Sequence, residues 1–299
     1  MRFDWYQTTI EDEPQVVLET LKKLGHELRP ADALAKRYRY DNGYQVHHHE
    51  RGVVASVFVG GNGGKPHAFA SSDSTDAFVD VVRSQWPDRH LVTRMDSAQD
   101  FNDSSAFNRL RRVALKVAKA HRMAFPSISD QLNQQAGRTQ YIGSPSSDYR
   151  GRLYEKGWEQ IAKMKTLWGK DFRNADMPEW VEVRNEATGE MVKAADWIRL
   201  EVQARPDGEE ARRLAAVATP EQAWGFTSWS HELAKHAMQL DLERIYIRTR
   251  KVSKDEEAMR WMCQQYGALL TRQHNDLGDW KCVGLEIGKL VAEQARDKS

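Results

Sequence analysis

Three short runs carry the residues with the most chemistry to offer. They are Arg94-Met95-Asp96 with Asp100 further on, Arg152-Leu153-Tyr154 with Lys156 beyond, and Arg199-Leu200-Glu201. Each alternates a charged or phenolic side chain with an apolar one. That is the period of a strand, in which residues two apart share a face. On this reading Arg94 and Asp96 share a face, as do Arg152, Tyr154 and Lys156, and as do Trp197, Arg199, Glu201 and Gln203. Ile198, Leu200 and Val202 turn the other way, toward a core. If the three strands join one sheet, its polar face presents Asp96, Glu201 and Tyr154 among several cations. Carboxylates gathered on one surface repel unless positive charge sits between them, and a hard divalent cation with oxygen ligands supplies it. A tyrosine beside such an ion suits attack of its phenolic oxygen on a phosphodiester, with the cations stabilising charge on phosphate and phenolate. The plainer alternative is a set of surface ion pairs, each worth about 0–1 kcal/mol, with the tyrosine as amphipathic packing.

The elements that must position these residues read as follows. Residues 2–10 form a first strand, followed by a helix with Val17, Leu21 and Leu24 at helical spacing and Gly25 as its stop. Residues 43–61 form a hairpin turning near Arg51-Gly52, and a short helix follows with Phe78, Val81 and Val82 facing inward. A strand carries Arg94 and Asp96, and a longer helix places Phe107, Leu110, Ala114 and Val117 on one side. The pattern restarts with a second hairpin over residues 139–157, a helix from about Trp158, and a strand through Arg199 and Glu201. Hairpin, helix and strand thus occur twice. The fold expected is α+β: a twisted antiparallel sheet, read as two such pseudo-repeats, flanked by helices. A catalytic domain over 1–206 precedes a helical C-terminal region over 207–299, serving DNA binding or dimerisation. In that region Met259, Met262, Tyr266 and Leu269 keep helical spacing, as do Leu277, Trp280, Val283, Ile287 and Leu290.

Bulk composition narrows the function classes. The 299 residues carry a net charge of +1, so any nucleic-acid or membrane surface must be local. Apolar residues at 40% and charged residues at 29% describe an ordinary soluble mixture. No segment approaches the roughly 20 apolar residues of a membrane span, and the first residues lack the apolar run of a signal peptide. Cys263 and Cys282 have no paired spacing, which fits a reducing cytoplasm and argues against a cysteine zinc site. The glycine-rich run 60–65 lacks phosphate-loop spacing and precedes Pro66, so it reads as a loop. Arg109, Arg111, Arg112, Lys116 and Lys119 make one basic helix face, either solvated or set against a DNA backbone.

In order along the chain, Asp4-Trp5, RMDSAQD (94–100), YIGSPSSDYRGRLYEKG (141–157) and RLEVQ (199–203) resemble the motifs of the Rep_trans-type replication initiation factors. These serve rolling-circle plasmids and filamentous phages and have relatives among conjugative relaxases. The resemblance spans residues 4 to about 205 and leaves the C-terminal third unmatched. It implies an enzyme that nicks one strand at an origin and joins Tyr154 to the 5′ phosphate, leaving a 3′ hydroxyl to prime a host polymerase. It implies Asp96 and Glu201 as ligands of Mg²⁺ or Mn²⁺, with Asp100 as a further candidate. Arg152 and Lys156 would contact phosphate, and Arg94, Arg199, Ser144 and Arg150 stand in the same motifs as DNA contacts. The partners implied are origin DNA as single strand and duplex, a host helicase and polymerase, and a second copy of the chain, with no membrane. The place of action would be the bacterial cytoplasm. A relaxase with the same chemistry, or a DNA-binding regulator that kept the fold and lost nicking, are the alternatives. Pro145 stands where the family often has Arg, and Ser97 where it has an apolar residue.

Tyr141 and Tyr149 compete with Tyr154 for the nucleophile. The face shared with Arg152 and Lys156 favours Tyr154 and leaves Tyr141 as packing. His47-His48-His49 would put His47 and His49 on one face, as in the His-apolar-His metal strands of HUH endonucleases. The middle residue here is polar and a turn lies close by, so a solvated strand end is expected, with DNA contact or metal ligation as the other readings.

Overall fold

The computed structural model describes residues 1–130, 132–169, 175–178, 180–186, 188–240, 242, 244–245 and 254–296. The chain divides into two compact units, Met1–Thr249 and Arg250–Ser299. In chain order the first unit contains β1 (Arg2–Ile10), α1 (Pro14–Lys22), β2 (Glu27–Pro30), α2 (Asp32–Arg37), β3 (Asn42–His48), β4 (Gly52–Val59) and β5 (His67–Ser71). Next come α3 (Thr75–Gln85), β6 (His90–Asn102), α4 (Ala106–Ala120), β7 (Ser127–Ile128), β8 (Thr139–Ile142), β9 (Tyr149–Glu155) and α5 (Lys156–Trp168). It closes with β10 (Glu182–Arg184), β11 (Met191–Lys193), β12 (Trp197–Ala204), α6 (Glu209–Val217), α7 (Pro220–Ala223) and α8 (Ser228–Met238).

Ten of these strands form one sheet in the order β2-β3-β4-β5-β1-β6-β12-β9-β8-β7, antiparallel at every pairing. The strands alternate as their sequences require. Ile198, Leu200 and Val202 of β12 and Leu153 of β9 enter the main core, with Met95 of β6. Helices cover that face because each buries one apolar stripe: Val17 and Leu21 of α1, Phe78 and Val82 of α3, Leu110, Ala114 and Val117 of α4, and Leu233 of α8.

The two hairpin-helix-strand units occupy opposite halves of the sheet but are wired differently. The β8–β9 hairpin lies directly beside its strand β12, whereas β5 and β1 separate the β3–β4 hairpin from β6. Helix α3 packs into the main core, while Ile161 of α5 belongs to a small cluster with Val183, Ala194 and Trp197. Trp197 shares its face of β12 with Arg199, so α5 covers the polar side of the sheet. At the other end of that side, α2 caps a second small cluster built on Ala35, Tyr40 and Phe58. A charged strip over β1, β6, β12 and β9 is left between the two caps.

The sequence places a boundary at 206/207, but the compact unit runs to Thr249. Ala215, Ala216, Trp224, Phe226, Trp229, Leu233 and Ala234 all belong to the main core, so α6 to α8 complete the sheet domain. The second unit consists of α9 (Lys254–Leu277) and α10 (Trp280–Arg296), packed together around a turn at Gly278, with His274 stacked on Trp280 at 4.5 Å. Among the described residues no helix is long and apolar enough to cross a membrane.

Candidate active site

Strand register brings the three sequence runs onto one face. Arg199 stands opposite both Asp100 of β6 and Tyr154 of β9, and Glu201 opposite Arg152. Asp96 faces Trp5 on one side and Gln203 on the other. Glu201 faces Ala98, so Asp96 and Glu201 are diagonal neighbours on adjacent strands, with Cβ atoms about 7 Å apart.

A fourth acid joins them. The β1–β6 register slips between Phe3 and Trp5, leaving Asp4 as an extra residue whose carboxylate accepts a 2.7 Å bond from Arg199 Nη1 on the polar face. A bulge of this kind re-aims one side chain without disturbing the alternation on either side. Asp4 and Trp5 therefore both serve the polar face, and strict alternation along β1 conceals this. Asp4-Trp5 stands first among the motifs of the resemblance, but that motif does not tell that Asp4 leaves the alternation of its strand.

Arginines thread between the acids. Arg94 grips Asp96 with two nitrogens, its Nε at 2.9 Å, and lies 4.5 Å from the Trp5 ring centroid. Arg152 Nε is 2.9 Å from Glu201 Oε1, and its guanidinium stacks 4.0 Å from the Tyr154 ring centroid. Arg199 holds Asp100 through two bonds of 2.6 and 2.8 Å besides its bond to Asp4. Arg199 is fully buried, at 0% exposure. The expectation that Arg94 and Arg199 reach DNA therefore meets side chains already committed to carboxylates. Asp100, expected as a metal ligand, has both oxygens engaged by Arg199.

Tyr154 is 3% exposed, and its hydroxyl donates to Glu201 Oε2 at 3.2 Å. Lys156 does not continue strand β9. It opens α5, with Nζ 5.9 Å from the Tyr154 ring centroid, 2.8 Å from Glu159 and 3.8 Å from Glu186. Gly157 permits this start, since a Cβ there would lie 2.1 Å from the Ala194 carbonyl oxygen. Glu186, just beyond β10, also lies 3.5 Å from Arg2 and accepts from Gln160 at 2.7 Å, and so spans β1 and α5 across the charged strip.

The electrostatics follow from burial. Burial pushes the Asp96 and Glu201 carboxyls above their ordinary range; Arg94 and Arg152 respectively offset part of this, and the neighbouring acids add to the rise. For Asp4 burial acts the same way, but Arg199, Lys156, Arg2 and Arg152 overcome it and hold the carboxyl below its usual value. Burial and the charge of Glu201 raise the Tyr154 phenol well above its ordinary value despite Arg152 and Arg199. Half-buried Asp4 and buried Asp96 and Glu201 thus form a mutually repelling group of hard oxygens. Each carboxylate offers about four lone-pair sites, so the arginine bonds do not exhaust them. Hard carboxylate oxygens suit a divalent cation of the magnesium or manganese class, but among the described residues the only three-ligand group whose atoms already lie close enough for one ion is His26, His48 and His49.

The remaining candidates lie apart from this centre. Tyr149 faces the main core, edge-on to Phe226 at 6.5 Å, with its buried hydroxyl finding no hydrogen-bond partner among the described residues. Tyr141 stands opposite Arg152 on the polar face, but the Arg150 guanidinium covers its ring at 3.8 Å. Ser144 lies in the β8–β9 turn, bonded to Ser146. On α4, Arg109 and Arg112 are exposed, while Arg111 donates to Gln140 at 3.0 Å.

No protein-family model matches the chain, and no curated protein matches it. A solved structure described as the rolling circle replication initiator protein from Geobacillus stearothermophilus is similar at 19% identity. The alignment covers 85% of this chain and 89% of that one, with a TM-score of 0.45.

Proposed function

We propose that this chain is a metal-dependent DNA-nicking and joining protein that initiates rolling-circle replication, with Tyr154 as nucleophile. The observation that carries the reading is the Tyr154 hydroxyl bonded to Glu201, beside Asp96 and Asp4 and beneath Arg152. The ordered motifs from Asp4 to Gln203 support it from the sequence.

In the proposed reaction the Tyr154 oxygen attacks phosphorus of the scissile phosphodiester. Its proton passes to Glu201 Oε2, which already accepts that hydrogen bond and whose raised proton affinity suits it as a base. The bond from phosphorus to the 3′ oxygen breaks. The 3′ oxygen leaves taking a proton from solvent, Glu201 returns the tyrosine's proton to solvent, and the 5′ phosphate stays on Tyr154. Joining runs the same steps backward. Mg²⁺ or Mn²⁺ held by Asp4, Asp96 and Glu201 would supply positive charge for the phosphate and the phenolate. Arg152 and Lys156 bind the phosphate, with Arg150 and Ser144 further along the strand's path. Arg94, Arg199 and Asp100 hold the acids in place. Because Tyr154 is buried, the groups that cover it must move before a DNA strand can reach it. Working in the bacterial cytoplasm, the nicked origin would offer its 3′ hydroxyl to a host polymerase.

The test uses supercoiled plasmid bearing the cognate origin with Mg²⁺ or Mn²⁺. Wild-type protein is expected to nick it and retain a covalent 5′ link. Tyr154→Phe should lower nicking by roughly 10³-fold or more, and Tyr141→Phe should not. Equal nicking by Tyr154→Phe removes Tyr154 from the mechanism. Tight origin binding with no nicking by wild type would make the chain a non-catalytic regulator. Chelation should abolish nicking, and if it does not, the metal falls out of the reading.

A further inference from the structure

We propose that His26, His48 and His49 form a binding site for a zinc-class divalent cation, separate from the carboxylates around Tyr154. One ring nitrogen from each lies within 4.8 Å of the others. His26 Nδ1 and His49 Nδ1 are 3.3 Å apart. Two imidazole nitrogens bound to one tetrahedral zinc at about 2.0–2.1 Å are separated by about 3.3–3.4 Å, so this pair already has the edge length of such a site. His48 stacks on His49 with ring centroids 4.5 Å apart and lies 4.8 Å from His26.

The backbone builds this cluster. His26 follows α1 and donates its amide to the His47 carbonyl at 2.8 Å, and Glu27 then pairs with His47 to begin the β2–β3 ladder. Gly25 makes the approach close, since a Cβ there would lie 2.5 Å from the His47 carbonyl oxygen. On the other side, the β3–β4 register slips between Val46 and His47, with Val54 as the extra residue. The run does not place His47 and His49 together as alternation suggests. It brings His48 and His49 around to meet a histidine more than twenty positions earlier. Glu50 closes the turn, with its amide on His48 Nδ1 at 3.2 Å and its carboxylate 3.8 Å from His49 Nε2.

The ligand class follows from the donors. Three imidazoles favour zinc, nickel, copper or cobalt over magnesium, and His26 and His49 are exposed enough to leave a fourth position to water or Glu50. Strands β4, β5 and β1 stand between β3 and β6, so the site does not share ligands with Asp96 or Glu201. An ion here would tie the α1–β2 turn to the β3–β4 hairpin.

Co²⁺ titration into chelator-stripped full-length protein tests this. The expected result is a tetrahedral ligand-field absorption that saturates at one Co²⁺ per chain, is displaced by Zn²⁺ and survives excess Mg²⁺. His26→Ala and His49→Ala should each weaken Co²⁺ binding by at least about tenfold, and His47→Ala should leave it unchanged. Zn²⁺ should raise the Tm of wild type and His47→Ala but not of His26→Ala. The proposal is overturned if no saturable absorption forms, or if it persists in the His26→Ala/His49→Ala double variant. Both residues are surface side chains, so their loss should leave the fold intact, which far-ultraviolet circular dichroism checks.

Discussion

His67 shows what burial does to a single titrating side chain. It is packed beside Tyr40 and Phe58, bonded to Gln7 at 2.8 Å and Thr9 at 3.3 Å, and its pKa is pushed down to about 4, by burial and then by Arg212. The unfolded chain takes up this proton near pH 6.5, whereas the folded chain resists until about 4. Its stabilising effect is therefore complete above pH 6.5 and is lost progressively as pH falls toward 4, by up to about 3 kcal/mol. Urea unfolding of His67→Gln across this window should show a shallower acid slope than wild type, whatever its absolute stability. His90, also buried neutral, should keep some slope in the variant. Legibility at this scale was uneven. Tyr154, Glu201 and Asp96 could be placed on one face because their strands alternate without interruption at those positions. Asp4 could not, because a bulge is a one-residue slip set by the neighbouring strand. Alternation puts Lys156 on a strand it does not occupy, because the backbone turns helical directly after Glu155.

Among elements, α5 depends on one glycine. A methyl group on Gly157 would lie only 2.1 Å from the Ala194 carbonyl oxygen, and that neighbour is backbone rather than a side chain that could turn aside. Gly157→Ala should push the start of α5 off that backbone, cost about 2 kcal/mol or more in chemical denaturation, and weaken DNA cleavage by moving Lys156. Unchanged stability would mean that α5 can slide freely. The sheet itself was largely readable: the first strand, both hairpins, the strands of Arg94 and Glu201, and helices α1, α3 and α4 follow their hydrophobic periods. Strands β2, β10 and β11 escape the pattern because they are three or four residues long, too short to show a period. The wiring difference between the two halves also escaped, since local pattern does not say which face a helix will cover.

For the whole molecule, the decisive fact is that α6 to α8 complete the main core. Buried side chains as large as Trp224 and Trp229 each contribute about 2–3 kcal/mol, and a chain cut at 206 would lose them together. Residues 1–249 should unfold cooperatively on their own, while residues 1–206 should lack a sharp transition and expose apolar surface to dye. A cooperative transition in the shorter piece would restore the boundary suggested by the sequence. The two boundaries differ because amphipathic helices look alike in sequence whether they pad a sheet or stand apart from it. The outer strands of the sheet carry a last consequence. At one rim β2 is four residues long, with Glu27, Arg29 and a proline that brings no amide hydrogen. At the other, β7 has only two residues. A sheet this wide would ordinarily be a template for stacking further chains edge to edge. Here both rims end in stubs that offer few free backbone groups, so growth into fibrils through the native sheet has little to start from.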